Sequence, residues 1–200
     1  MWNGKEHVAK ELPYKELPGL SQKQLQEHHD ILYAGYVNKI NEIRSKIDST
    51  DLSSANATYS DIRELKLEET FAANAVKLHE EYFDSLGGEG KISGSISEMI
   101  NRDFGSYEKW EQQFKAMGIA ARGWVILAYS WDEKRLRNIL YDTHNQGGIT
   151  GSAPLVVLDV YEHAYFIDYA TARKKYIDAF FANINWNNAN KLIEEKRIKI

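Results

Sequence analysis

The sequence, 200 residues long, predicts an α+β fold: an N-terminal long helical hairpin followed by an α/β half with a small three-stranded antiparallel sheet. Three observations carry this reading. Apolar residues recur every three or four positions through two long segments of the first half. Three extended runs, "GWVILAYSW", "RLRNILYDT" and "APLVVLDV", occur in the second half. Between them lies the Gly/Ser-rich stretch "GGEGKISGS" at 87–95. It sets a boundary near residue 90, with one unit over 1–90, another over 91–200, and a site between them.

The elements follow in order. Residues 1–20, with Pro13 and Pro18, read as an irregular arm. Ser21 followed by Gln24 has capping-box spacing, so the first helix starts there and runs to about Asp48. Leu25, His28, Leu32, Tyr36, Ile40, Ile43 and Ile47 fall on one face of it. The polar loop "STDLSSANATYS" leads to a second helix from about Asp61 to Leu86, with Leu67, Phe71, Ala75, Leu78, Tyr82 and Leu86 as its apolar stripe. "ISEMINRDF" is a short helix, and Ser106 caps another through about Met117 that buries Trp110 and Phe114. "WDEK" makes a tight turn between the first two extended runs. The helices "YIDAFFANI" and "NANKLIEEKRIKI" close the chain, and no internal repeat is seen.

Composition excludes several classes. A hydrophobic content of 43% with 12% aromatics supplies a globular core and argues against disorder. A net charge of −4 offers no basic footprint, so no nucleic-acid partner is expected. No run of about 18 apolar residues exists, so no membrane span is expected. The N-terminus "MWNGKEHVAKELPYKELPG" lacks the apolar core of a signal peptide, and the expected location is cytoplasmic. Cysteine is absent, which excludes disulfides, thiolate ligands and cysteine nucleophiles. Any metal must therefore be held by His, Asp and Glu.

The chemistry concentrates in "LDVYEHAYF", Leu158 to Phe166, where Asp159, Glu162 and His163 stand beside an apolar strand. His28 lies on the apolar face of the first helix, and His79 lies beside the stripe of the second, between Ala75 and Phe83. Two antiparallel helices and a strand end can bring His28, His79, Asp159 and His163 together. Three neutral imidazoles and a carboxylate suit a transition metal, and suit calcium or magnesium poorly. An Asp-x-x-x-His pair also arises by chance, so spacing alone leaves a metal site and a set of hydrogen-bonded histidines both open.

The same segments carry a resemblance to a family. "ELPYKELPGLSQKQLQEHH", "GYVNKIN", "NAVKLHEEYF", "ARGWVILAY" and "LDVYEHAYFIDYATARKKYIDAFFANINW" together resemble the iron/manganese superoxide dismutases over nearly the whole chain. The resemblance implies that His28, His79, Asp159 and His163 bind one manganese or iron ion. It implies that Tyr36 stands at the mouth of the substrate channel and that Trp124 walls the metal pocket. It implies that Arg173 lies near the channel that draws in superoxide, and that Glu162 reaches across a homodimer interface to the partner's metal-ligating histidine. The implied activity is disproportionation of superoxide to dioxygen and hydrogen peroxide. A carboxylate buried beside a strand then has a reason, since a cation compensates its charge.

The sequence also departs from the family pattern. Leu32 and Tyr33 stand where the family commonly has two histidines, and Phe166 where it has a second tyrosine. Leu32 and Phe166 form a matched apolar change, because the family's residues hydrogen-bond one another there. Tyr161, Phe83 and Ile126 replace tryptophans. The glutamine that hydrogen-bonds the solvent at the metal would come from the second helix in iron-type members, where this chain has Ala75. In manganese-type members it would come from a segment resembling "THNQGG", where Gln146 fits, with His144 two residues away. Gln146 therefore leans the expected metal towards manganese. Two rival readings are a non-haem iron oxygenase, whose facial triad needs fewer protein ligands, and a non-enzymatic metal-binding protein of the same fold.

Overall fold

The computed structural model describes residues 6–198. The first five residues of the expected arm and the last two of the closing helix lie outside them.

Helix α1 (Gln22–Gln26) begins where the cap predicts: Ser21 Oγ accepts the Gln24 N–H at 3.1 Å. The reciprocal half of the capping box does not form. Gln24 is buried, donates to the His163 carbonyl at 2.6 Å and accepts the Ile167 N–H at 3.1 Å. Helix α1 is thereby tied to the C-terminal half.

The first helix was expected to run unbroken to Asp48. Instead Glu27–Tyr33 is π-helical, and α-geometry resumes in α2 (Ala34–Asp48). A wider turn advances the buried stripe by one residue. Tyr33 and Val37 are accordingly buried, while Leu32 and Tyr36 are half-buried. Helix α3 (Asp61–Asp84) packs antiparallel to α2 and buries Ala72, Ala75, Val76, Leu78, His79, Tyr82 and Phe83. Leu67 is 43% exposed, against expectation. At the far end of the hairpin Leu65 packs on the core in its place.

The glycine-rich stretch is a close crossing. The Gly88 N–H donates to the Asn183 carbonyl at 3.0 Å, and a Cβ on Gly88 would lie 2.3 Å from the Ile184 carbonyl oxygen. Beyond it come α4 (Ser95–Phe104) and α5 (Tyr107–Ala120), the latter capped by Ser106 Oγ on the Lys109 N–H.

Strands β1 (Trp124–Ser130), β2 (Arg135–Tyr141) and β3 (Ser152–Asp159) form the expected antiparallel sheet, in the order β2-β1-β3. The 131–134 segment is the turn between β1 and β2. Strand β3 lies at the edge, where Pro154 costs no ladder bond in a central strand. The Val157 N–H donates to Ser85 Oγ at 3.0 Å, just past the end of α3. In register, Trp124 pairs with Tyr141 on one side and with Asp159 on the other. That end of the sheet faces the hairpin.

Helices α6 (Phe166–Tyr169), α7 (Arg173–Ala182) and α8 (Trp186–Glu195) complete the chain. The short α6 has no counterpart among the sequence expectations. Among the described residues no helix is long and apolar enough to cross a membrane.

Candidate metal centre

Four segments deliver one side chain each. His28 comes from the π-helical turn, His79 from α3, Asp159 from the last position of β3, and His163 from the 3₁₀ turn that follows. One ligand atom from each lies within 4.8 Å of the others. The Nε2 atoms of His163, His28 and His79 stand 3.0, 3.2 and 3.7 Å from a single oxygen, Asp159 Oδ2.

The donor set fits a transition-metal ion. Both ring nitrogens of His28 and Nε2 of His79 are buried without a hydrogen-bond partner among the described residues. Such atoms are rare, and each costs about 1–3 kcal/mol when left unpaired. A cation beside Asp159 Oδ2 would satisfy the Nε2 atoms of His28 and His79. His79 Nδ1 lies 2.6 Å from the Ala75 carbonyl. A carbonyl can only accept, so Nδ1 carries the proton and the Nε2 lone pair faces the site.

Electrostatics prepare the same set. Burial lowers the pKa of His28, and lowers that of His79 well below the usual histidine value, so both imidazoles are neutral. Burial alone would raise the Asp159 pKa. Adjacent His163, through its charge and hydrogen bond, and His28 outweigh burial and hold Asp159 well below the usual carboxylate range. The Tyr161 N–H donates to Asp159 Oδ1 at 2.9 Å, which fixes the carboxylate plane.

His29, the neighbour of His28, takes no part. Its Nε2 lies 2.9 Å from the Lys10 carbonyl. Trp124 is buried with its ring 4.9 Å from that of His79, nearly perpendicular. Tyr161 stacks on His163 at 5.1 Å.

The structure separates Gln146 from the site. Residues 143–146 form a tight turn, with the Gln146 N–H on the Thr143 carbonyl and the Asp142 N–H on the Gln146 carbonyl. Gln146 sits at the exposed end of this turn. His144, inside it, is buried, with its ring 5.7 Å from that of His79. The Trp124 indole N–H donates to His144 Nδ1 at 3.1 Å. His144 must then carry its proton on Nε2, which lies 3.0 Å from Tyr36 Oη and donates to it. The Tyr36 hydroxyl proton is left free to point elsewhere. Gln146→Ala is expected to leave metal content and turnover unchanged. His144→Ala should keep the ion while lowering turnover about 10–100-fold, as steady-state superoxide assays on metal-matched samples would show.

Burial also makes the metal-free site sensitive to acid. The His144 pKa is pushed down to about 4. A histidine whose folded pKa is depressed is protonated first in the unfolded chain. Stability of the metal-free protein should therefore be full above about pH 6.5 and fall as pH drops towards about 4. Urea unfolding across this window should show it, with a shallower slope in His144→Gln.

The other expected site residues are not brought into this cluster. Glu162 is exposed, and Leu32 is half-buried. Phe166 is 48% exposed. Arg173 donates from Nε to Tyr165 Oη at 3.0 Å and from Nη1 to the Ala121 carbonyl at 2.9 Å, so its guanidinium braces α7 against the end of α5.

A helical hairpin, a three-stranded sheet and a His/Asp focus between them define the class: an α+β protein with a candidate transition-metal centre. Comparison with known proteins narrows this. The profile described as iron/manganese superoxide dismutases, C-terminal domain, matches residues 92–192. A superoxide dismutase named as iron-type from Aquifex aeolicus is 44% identical over 186 residues, covering 90% of this chain and 87% of that protein. One named as iron-type from Cupriavidus metallidurans is 41% identical over 177 residues, covering 87% and 88% respectively. One named as manganese-type from Haloarcula marismortui is 36% identical over 196 residues, covering 92% and 93%. The chain belongs to the iron/manganese superoxide dismutases, a family of oxidoreductases.

Proposed function

We propose that this chain disproportionates superoxide at one iron or manganese ion held by His28, His79, Asp159 and His163, between the halves 1–90 and 91–200. The observation that carries the reading is the convergence of three imidazole Nε2 atoms on one buried Asp159 oxygen, 3.0–3.7 Å away, in a member of this family. The lean towards manganese rested on Gln146. With that residue at the surface the argument lapses, and the proposal is for either metal.

When bound, the ion supplies one-electron redox chemistry, oxidising one superoxide and reducing the next. The chain does the rest. Burial keeps His28 and His79 neutral, and Asp159 supplies a fixed negative charge. Reduction of superoxide to hydrogen peroxide needs two protons. Burial, and then the charge of Asp159, raise the Tyr36 pKa, so its hydroxyl stays protonated at neutral pH. His144 occupies the Tyr36 oxygen as a donor, which directs the Tyr36 proton away from itself. Tyr36 is thus the residue best set to hand a proton to substrate. Elemental analysis and superoxide turnover on one purified sample, without organic co-substrate, test the reading. About one iron or manganese per chain with turnover is expected. Metal without turnover would overturn it.

The homodimer is part of this proposal. Glu162 lies beside a ligand histidine, is exposed, and has no ion-pair partner among the described residues. Phe166 and Ile167 next to it are 48% and 46% exposed. A two-fold contact would cover these apolar groups and give Glu162 an acceptor role on the partner's His163. Light scattering at micromolar concentration should find a dimer, with Glu162→Ala both less dimeric and poorer in metal. A fully loaded, active monomer would refute this. The cytoplasmic placement rests on the sequence reading alone.

A further inference from the structure

One residue after each helical ligand, the chain turns a second polar group to a different neighbour. His29 follows His28, and Glu80 follows His79. Both meet the same short strap of the N-terminal arm, residues 7–10. His29 Nε2 donates to the Lys10 carbonyl at 2.9 Å. The Lys10 N–H donates to Tyr33 Oη at 3.0 Å, and Tyr33 donates to Glu80 Oε1 at 3.1 Å. His7 Nε2 lies 2.7 Å from Glu80 Oε1, and Lys10 Nζ 3.3 Å from Glu80 Oε2. The backbone of His7 is bonded in both directions to the Asn41 side chain, at 2.9 and 2.8 Å.

The strap therefore touches α2 at Asn41, the π-helical turn at His29 and Tyr33, and α3 at Glu80. Glu80 is only 5% exposed. A carboxylate that buried requires partners, and the two closest nitrogens around it, His7 and Lys10, belong to the strap. The strap itself is accessible: the side chains of His7 and Lys10 are 26% and 56% exposed. Ala9 between them packs on the core, which ties the strap to the hairpin.

We propose that Glu80 and the strap His7–Lys10 form a clasp that holds the π-helical turn and α3 together, so that Glu80 is a positioning residue for the ligand pair His28 and His79. This rests on the reading that those two histidines hold the ion. Release of the ion requires one of them to withdraw, and the clasp resists that withdrawal from the opposite neighbours of both. It sets the rate of metal loss.

The test is chelator-driven release from the full, metal-loaded chain, well below its melting temperature. Glu80→Gln, and separately His7→Gln with Lys10→Met, should each speed release about 10-fold or more, within the range for groups that orient metal ligands. Combining them should add little, because both break one network. Lys10→Arg, which keeps the charge, should release at the wild-type rate. A merely structural role would lower the melting temperature of the metal-free chain and leave release below melting unmoved. The partly exposed His7 and Lys10 changes keep the test sound if Glu80→Gln fails to fold. Wild-type release rates in the variants, or effects that multiply independently, would overturn the clasp. A wild-type chain that takes up no ion would overturn the ligand assignment, and the clasp with it.

Discussion

Asp159→Asn is expected to empty the metal centre while leaving the fold in place. Asparagine preserves the side-chain shape, and its Oδ1 can still accept the Tyr161 N–H, now at 2.9 Å. The change falls on the other atom. Asp159 Oδ2 faces three imidazole nitrogens within 3.7 Å. An amide nitrogen there supplies a donor in place of a negative ligand atom, and the three histidines keep no anion among them. Loss of a group that merely orients a ligand weakens metal binding about 10–100-fold, so loss of the ligand itself should exceed about 100-fold. Elemental analysis should find a nearly metal-free protein with an unchanged circular-dichroism spectrum. Superoxide turnover should fall in proportion to the metal. Wild-type metal content in this variant would show that Asp159 is not a ligand.

Trp110→Ala should be the most damaging change outside the site. Trp110 is fully buried, with its ring 5.1–5.6 Å from those of Tyr107, Phe114, Phe181 and Trp186. These rings come from α5, α7 and α8, the helices that back the sheet. Truncation leaves a large cavity, and such changes cost about 3–5 kcal/mol. It also strips the indole donor from Asn138 on β2, now at 3.0 Å. For a chain of this length the melting temperature should drop by roughly 6–20 °C. Trp131→Ala offers the contrast. Trp131 lies in the β1–β2 turn and is 43% exposed, so its loss should cost less than about 1 kcal/mol. Equal losses from the two would mean that the aromatic cluster is not the centre of the C-terminal core.

Much of this architecture is legible in the chain itself. Helix periods, caps and extended runs are local signals, and they located both hairpin helices, the Ser21 and Ser106 caps and all three strands. The apolar stripes also separated His28 from His29, because a residue's place on a helix face follows from spacing alone. That the four candidates His28, His79, Asp159 and His163 converge was an expectation of topology and family likeness, and their donor atoms do lie within 4.8 Å of one another.

Local signals ended where side-chain direction depended on distant partners. The π-helical turn leaves no mark in the hydrophobic pattern, yet it buries Tyr33 in place of Leu32. In the 143–146 turn, backbone hydrogen bonds expose Gln146, while the indole of Trp124 and the hydroxyl of Tyr36 hold His144 inside. Helix periodicity carries no sign that Glu80 is buried, yet the arm, 73 residues earlier, brings His7 within 2.7 Å of it. The sequence by itself determined the long helices, the strands and the types of the candidate ligands, because propensity and periodicity act over a few residues. Tertiary structure decided which polar group completes each buried network, because that choice depends on which distant donors and acceptors the packed chain leaves within hydrogen-bond reach.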